Sequence, residues 1–250
     1  MTGSMILMSE LKVTRFGGSV AGTHTPDRFN QDAWAGGRFR TAAGTTVHFL
    51  VVCDGLGSCS SGREGALAAV RATRKAVRLW GAAEGAGTGT LTRLIELLWR
   101  LEVTPHDPRQ WATTCLVSVL QVRGDTSELT VVTLGDGMVF VRAREALTAI
   151  GGRGETFSNR TLGLGVPHHI DDWQERQWAP VREFTVVLCT DGVADDLRPD
   201  ALPEFVDWLE PLAQGPPRAA GSALRRALRA WPVPQHTDDK TVAVLLARMT

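Results

Sequence analysis

Three stretches of the chain are almost wholly apolar or β-branched for six residues and then end in an aspartate followed by glycine. Residues 47–52 (VHFLVV) run into Cys53-Asp54-Gly55-Leu56-Gly57-Ser58. Residues 129–134 lead into Gly135-Asp136-Gly137, and residues 184–189 into Thr190-Asp191-Gly192. Unbroken apolar runs of this length predict buried strands. An aspartate at the end of a buried strand is held rigidly, and the glycines beside it let the backbone come close to a ligand. The repeated design predicts carboxylates gathered at one rim of a sheet, which reads as a metal site.

The remaining pattern fills in the elements. Residues 11–21 alternate as a first strand, broken by a Gly22–Asp27 loop, and residues 32–39 form the next strand. Residues 62–80 place Ala66, Leu67, Val70, Ala76, Val77 and Trp80 at helical spacing. Residues 90–101 do the same through Leu91, Leu94, Ile95 and Leu98. Residues 113–144 read as three strands joined by tight links, hence antiparallel. Residues 151–165 are glycine-rich without periodicity, a flexible loop over a site. Residues 200–231 read as helical segments broken by Pro203, Pro211 and Pro216-Pro217, and residues 241–247 as a last strand. Helices fall in two blocks between antiparallel strands, which predicts an α+β layered sandwich over an alternating doubly wound fold. The expected organisation is a tail over residues 1–10 and a single domain over residues 11–250.

Composition alters this little. The 250 residues are 43% hydrophobic and 22% charged, and 27 basic side chains balance 27 acidic ones. A sizeable core is therefore expected, and no global basic field points to nucleic acid. No apolar run reaches membrane-spanning length, and the first residues lack the pattern of a signal segment. Cys53, Cys59, Cys115 and Cys189 have no CxxC spacing and read as reduced thiols. A cytoplasmic protein with no nucleic-acid or membrane partner fits best.

Each acidic position also has a bland explanation. Gly135-Asp136-Gly137 alone is as consistent with a hairpin turn as with a ligand. Asp191 could cap a helix beginning at Gly192, and Asp238 and Asp239 could be solvated turn residues before the last strand. Arg28 alone would be an ordinary surface arginine. Taken together, four such positions at strand ends point to converging oxygen ligands, which suit magnesium or manganese better than zinc. Such a site fits phosphoester hydrolysis, with divalent cations clamping phosphate oxygens and lowering the pKa of water. Arg28, four residues before Asp32, is placed to fork onto the phosphate.

The segments resemble, in order, the motifs of the bacterial metal-dependent type 2C serine/threonine protein phosphatases. Arg28-Phe29-Asn30-Gln31-Asp32 resembles the family's arginine followed by Asn-Glu-Asp, and Asp54-Gly55-Leu56-Gly57 its Asp-Gly-x-Gly. Ala112-Thr113-Thr114 resembles Gly-Thr-Thr, Gly135-Asp136-Gly137 the Gly-Asp-Ser/Gly turn, Thr190-Asp191-Gly192 the Ser/Thr-Asp-Gly element, and Asp238-Asp239-Lys240-Thr241 the closing Asp-Asn-x-Thr/Ser. The resemblance implies a four-layer α-β-β-α sandwich of two antiparallel sheets with flanking helices, and two Mn2+ or Mg2+ ions between the sheets at one end. It implies that Asp54 bridges the ions, that the Gly55 carbonyl binds one, and that Asp191 and Asp238 complete the other. Asp136 would help hold a third, weaker ion. Gln31 and Asp32 occupy the metal-facing Glu-Asp pair, Arg28 the phosphate site, and residues 151–165 a flap. A phosphorylated protein substrate and an opposing bacterial Ser/Thr kinase follow as implied partners.

Three positions depart from the family pattern. Gln31 replaces a metal-binding glutamate, so the site loses a negative charge. With His24 it resembles a His…Gln-Asp subgroup. Leu56 stands where eukaryotic members have a histidine acid, which leaves His24 or water to protonate the leaving oxygen. His24 could equally be a loop histidine capping backbone groups. Asp239 replaces asparagine. The leading expectation is phosphoserine/phosphothreonine hydrolysis. The alternatives are a weakly active or inactive relative that binds a phosphoprotein, and a hydrolase of a small phosphoester.

Overall fold

The structure, a computed structural model, describes residues 11–23, 29–83, 86–124, 126–152, 162–231, 233 and 237–250. Its strands are β1 (Leu11–Val20), β2 (Asp32–Arg40), β3 (Thr46–Asp54), β4 (Cys115–Arg123), β5 (Thr126–Leu134), β6 (Met138–Ala143), β7 (Ala146–Gly151), β8 (Gln174–Trp178), β9 (Phe184–Cys189) and β10 (Lys240–Met249). Its helices are α1 (Gly62–Ala82), α2 (Thr88–Val103), α3 (Asp191–Ala194), α4 (Leu202–Leu209) and α5 (Pro217–Arg229).

The strands form two five-stranded sheets, ordered β1-β10-β9-β6-β7 and β2-β3-β4-β5-β8, and every pairing is antiparallel. The α+β sandwich expected from the sequence is present. Its middle core lies between the sheets and holds Leu50, Val52, Leu116, Leu129, Val186, Leu188 and Leu245. A second core packs α1 and α2 on Val47, Phe49, Val51 and Cys53 of β3. A third packs α4 and α5 on β1, β9 and β10 through Phe16, Val187, Val244 and Leu224. Because β3 is covered on both faces, it carries no polar alternation and reads as one apolar run.

Local sequence explains the helix boundaries. The buried side of α1 is mostly alanine (Ala66, Ala69, Ala72, Ala76), which favours the helix and lets it lie close to the sheet. Pro203 and Pro217 lie in the first turns of α4 and α5, and Pro211 opens the short 3-10 turn Glu210–Gln214. There the missing N–H has no helical partner to lose.

The structure corrects one connection. Residues 113–144 were expected to form successive antiparallel neighbours, but β5 and β6 belong to different sheets. The Gly135-Asp136-Gly137 link therefore crosses the sandwich and is not a hairpin, and Gly135 adopts a φ of +116° to make the turn. The edge strands β7 and β8 were not foreseen. β8 is Gln-Glu-Arg-Gln-Trp, a mostly exposed sequence whose pairing with β5 rests on backbone hydrogen bonds. The tail over residues 1–10 and most of the 151–165 loop lie outside the described residues. No described helix is long and apolar enough to cross a membrane.

Candidate active site

The site lies where the chain leaves the apolar strands. β3 ends at Asp54, and its antiparallel partner β2 begins at Asp32, directly opposite in register. β9 delivers Thr190 and Asp191 at the start of α3, and the turn before β10 supplies Asp238. The crossing between the sheets supplies Asp136. Asp54, Asp136, Asp191 and Asp238 line one cavity of about 110 Å³ together with Gln31, Gly55, Leu56, Gly57 and Thr114. At roughly 30 Å³ per water, this is room for ions and a few waters.

Backbone hydrogen bonds fix the rim. The Asp54 N–H donates to Thr114 Oγ1 (2.9 Å), while its carbonyl accepts from the Thr114 N–H (2.8 Å) and the Thr113 hydroxyl (2.8 Å). Leu56 N–H donates to the Ala112 carbonyl (2.9 Å), and Gly55 N–H donates to the Gln31 carbonyl (3.3 Å). A Cβ on Gly55 would stand 2.3 Å from the Gly62 carbonyl carbon, and one on Gly192 would stand 1.9 Å from the Asp239 carbonyl oxygen. Both glycines are required because the backbones touch.

Two further carboxylates stand behind the cavity. Asp32 does not line it. Its Oδ2 accepts from the Thr190 hydroxyl (3.0 Å), which in turn accepts from the Thr241 N–H (3.1 Å). The Thr241 hydroxyl and the Asn30 amide both meet Ser19 Oγ at 2.7 Å, and Asn30 Oδ1 accepts from the Asp32 N–H at 2.9 Å. Asp239 accepts from the Gly22 N–H (2.8 Å) and the Gln31 N–H (2.6 Å), joining the turn before β10 to the loop before β2.

Charge is concentrated here. Burial holds the Asp54 carboxyl well above the usual carboxylate range, and Asp32, Asp191 and Asp238 push it in the same direction. Burial raises Asp191 as well, followed by the charge of Asp136. The Asp54 and Asp191 side chains stand within hydrogen-bonding reach of each other, and two carboxyl groups that close share a proton or a cation. Burial pushes Asp32 up to about 7 against the opposing Thr241 and Thr190 hydroxyls.

Among the described residues, no three His, Cys, Asp or Glu side chains form a ready-made metal shell. The cavity is nevertheless lined by carboxylate, amide and carbonyl oxygens, the donor set that hard divalent cations take, so the residues present fit such ions. The structure brings together Gln31, Asp54, Gly55, Asp136, Asp191 and Asp238. His24 and Arg28 lie outside the described residues, as does most of the 151–165 stretch expected to form a flap. Leu56 adds an apolar wall with no titratable group.

Sequence reasoning missed the work of Thr190 and understated Asp239. A Thr immediately before Asp191 and a second carboxylate after Asp238 were the available signals. The described cysteines are free thiols, as expected, and only Cys59 is not buried.

Comparison with known proteins agrees with this geometry. A family model described as Protein phosphatase 2C matches residues 23–231. No curated protein matches significantly. Among solved structures, the PP2C phosphatase domain of SpoIIE from Bacillus subtilis, with a fragment of its regulatory domain, is 14% identical with a TM-score of 0.59. The alignment covers 97% of this chain and 65% of that one. The catalytic domain of the serine/threonine phosphatase PstP, in complex with two manganese ions, is 17% identical (TM-score 0.60; 96% and 100% covered). PppA of Pseudomonas aeruginosa, a regulatory component of T6SS, is 20% identical (TM-score 0.64; 95% and 98% covered). At these identities the structural likeness shows the fold.

Proposed function

The chain belongs to the protein phosphatase 2C family, and from that premise we propose that it is a metal-dependent phosphatase of phosphoserine and phosphothreonine in proteins, working opposite a Ser/Thr kinase. The observation that carries this reading is the convergence of Asp54, Asp136, Asp191 and Asp238 on one small cavity. Buried carboxylates at this density repel one another unless cations or protons lie between them.

In this reading Asp54, the Gly55 carbonyl, Asp191 and Asp238 would hold the divalent ions, and Asp136 would help to hold a weaker one. Gln31 contributes an amide oxygen. Asp32 is a supporting group, held by Thr190 behind the cavity. Manganese or magnesium ions bound there would supply Lewis-acid polarisation of the phosphoryl group and hydroxide near neutral pH. The chain itself positions the carboxylates through Thr113, Thr114 and the close glycine contacts, and Leu56 shields one wall from water. Arg28 forks onto the phosphate, and His24 is a candidate donor to the leaving oxygen. The single-domain organisation over residues 11–250 is part of the proposal, supported by the core shared between the two sheets.

The test is hydrolysis of a phosphothreonine peptide with manganese, with magnesium and with chelator. Metal-dependent turnover abolished by chelator is expected. Metal binding without turnover would favour the weakly active, phosphoprotein-binding alternative, for which Gln31 is the supporting feature. Turnover of small phosphoesters but not of the peptide would favour a metabolite phosphatase.

A further inference from the structure

A second, larger concavity of about 720 Å³ lies on the helical side of the molecule. It runs between α2 and the segment that follows the flap, and its lining includes Arg93, Leu97, Arg100, Arg109, Gly165 and His168. Its floor is built. Trp99 is buried and donates its indole N–H to the Gly65 carbonyl of α1 at 3.1 Å. Gly165, at a φ of +88°, brings the post-flap backbone so close that a Cβ there would lie 2.4 Å from the Pro108 carbonyl oxygen.

The charges of the groove are unequally used. Glu96 is engaged by His168 Nε2 and by the Trp173 indole, both at 2.8 Å. Asp107 accepts from the Arg109 guanidinium and caps the short 3-10 turn Pro108–Trp111. Both acidic groups are thus occupied by neighbours within the wall. Arg93 and Arg100 are exposed and form no direct ion pair among the described residues, although the charge of Arg100 acts on Glu96 one turn away. Seven residues apart on one helix, they share a face and stand about 10.5 Å apart along the axis. Leu97, 57% exposed, lies between them.

One rung connects this groove to the catalytic cavity. Leu164 lines the groove and pairs with Thr113 through both backbone hydrogen bonds, at 2.8 and 3.1 Å. The Thr113 hydroxyl in turn holds the Asp54 carbonyl. A polypeptide lying in the groove would therefore be two hydrogen-bonded contacts from the backbone that holds Asp54.

We propose that this groove docks an acidic stretch of the protein that carries the phosphorylated residue. This rests on the phosphatase reading above. The occupant has two acidic side chains four residues apart, which an extended chain places on one face about 13 Å apart, within reach of two long arginine side chains set about 10.5 Å apart along the helix. It also has an apolar side chain to cover Leu97. Charge complementarity of this kind selects partners and speeds their encounter.

The experiment has a binding arm and a turnover arm. A fluorescein-labelled peptide of about twelve residues, with two glutamates flanking a leucine, is titrated against the wild-type protein and against the Arg93→Gln/Arg100→Gln variant. Fluorescence anisotropy should show at least about tenfold weaker binding by the variant, and a matching loss when the glutamates become glutamines. In the turnover arm, KM for a phosphothreonine peptide bearing the same acidic stretch should rise by a similar factor. Turnover of p-nitrophenyl phosphate should be unchanged, which also verifies that the variant is folded. Equal binding of the acidic and neutral peptides, or binding unaffected by the double substitution, would overturn the proposal. Peptide binding that follows the arginines, with no hydrolysis of either phosphoester, would leave the groove standing and remove the phosphatase reading instead.

Discussion

Aspartates gathered at one end of the sandwich are treated differently by the fold, and the contrast is sharpest between Asp239 and the carboxylates of the cavity. Asp239, behind the rim, has both carboxylate oxygens supplied by protein donors, the Gly22 and Gln31 N–H groups. Asp32 has a threonine hydroxyl on Oδ2, while its buried Oδ1 has no partner among the described residues and its carboxyl is pushed up to about 7. Asp54, Asp136, Asp191 and Asp238 instead face a common cavity. A carboxylate satisfied by the protein holds backbone segments together and stabilises the fold. Carboxylates that crowd one another across a cavity destabilise it until something positive enters. Adjacent residues of the same type, such as Asp238 and Asp239, therefore have separable roles.

The largest expected effect breaks the cavity side of this contrast. Asp191→Asn should lower manganese-dependent hydrolysis of a phosphothreonine peptide by well over a hundredfold, beyond the 10–100-fold that changes outside the ligand shell typically cost. Its melting temperature in chelator should stay level or rise, because one of several like charges is removed. A variant with unchanged turnover, or one that melts far below the wild type in chelator, would place Asp191 with Asp239 as a structural residue.

Asp239→Ala should behave in the reverse manner. It removes two charge-assisted hydrogen bonds, a loss of about 2–3 kcal/mol. At roughly 2–4 °C per kcal/mol for a chain of this size, the melting temperature should fall by about 4–12 °C. Asp239→Asn keeps one acceptor and should lose about half as much. If thermal denaturation shows no difference between wild type and Asp239→Ala, the bridge from the β10 turn to the β2 loop does not bear on stability.

Gln31→Glu probes the boundary between Asp239 and the cavity, since the residue lines the cavity while its backbone N–H is held by Asp239. Adding a charge should lower the half-saturating manganese concentration severalfold. The assay is initial rate against metal concentration. An unchanged midpoint would remove Gln31 from the charge-sensitive positions.

Asp54, Asp136 and Asp191 were legible because each follows an apolar strand and precedes glycine, a local pattern that needs no knowledge of the fold, whereas Asp238 stood out through its place before the last strand and the family resemblance. The buried strands were legible for a related reason, since strands covered on both faces carry unbroken apolar runs, while their division into two sheets was implied by the family resemblance. The Thr190–Asp32 and Asp239–Gln31 contacts were not legible. They join residues 158 and 208 positions apart in sequence, and nothing in a threonine or a turn aspartate announces a distant partner. The β5-to-β6 crossing was misread because Gly-Asp-Gly satisfies a hairpin as well as it satisfies a change of sheet. β8 was invisible because an edge strand needs backbone partners, not apolar side chains.

The smallest effect concerns a titratable group that the protein satisfies far from the cavity. His48 lies on β3, and its Nδ1 accepts a hydrogen bond from the Arg15 guanidinium of β1, in the opposite sheet. Burial, with the charges of Arg15 and Arg38 adding to it, pushes His48 down to about 4. The ring must be neutral to accept from Arg15. A histidine whose folded pKa lies below its unfolded value of about 6.5 contributes stability that is fully present above that value. The contribution is lost as pH falls from 6.5 through 4. Allowing for the partial solvent exposure of the pair, it amounts to about 1–2 kcal/mol. His48→Gln keeps an acceptor for Arg15 but cannot titrate, so its melting temperature should decline less between pH 6.5 and pH 4 than that of the wild type. Carboxylate titration is common to both proteins, so the difference between the two curves isolates the histidine. Parallel curves would mean that the inter-sheet contact tolerates a protonated His48, and that Arg15 moves aside when the ring takes up its charge.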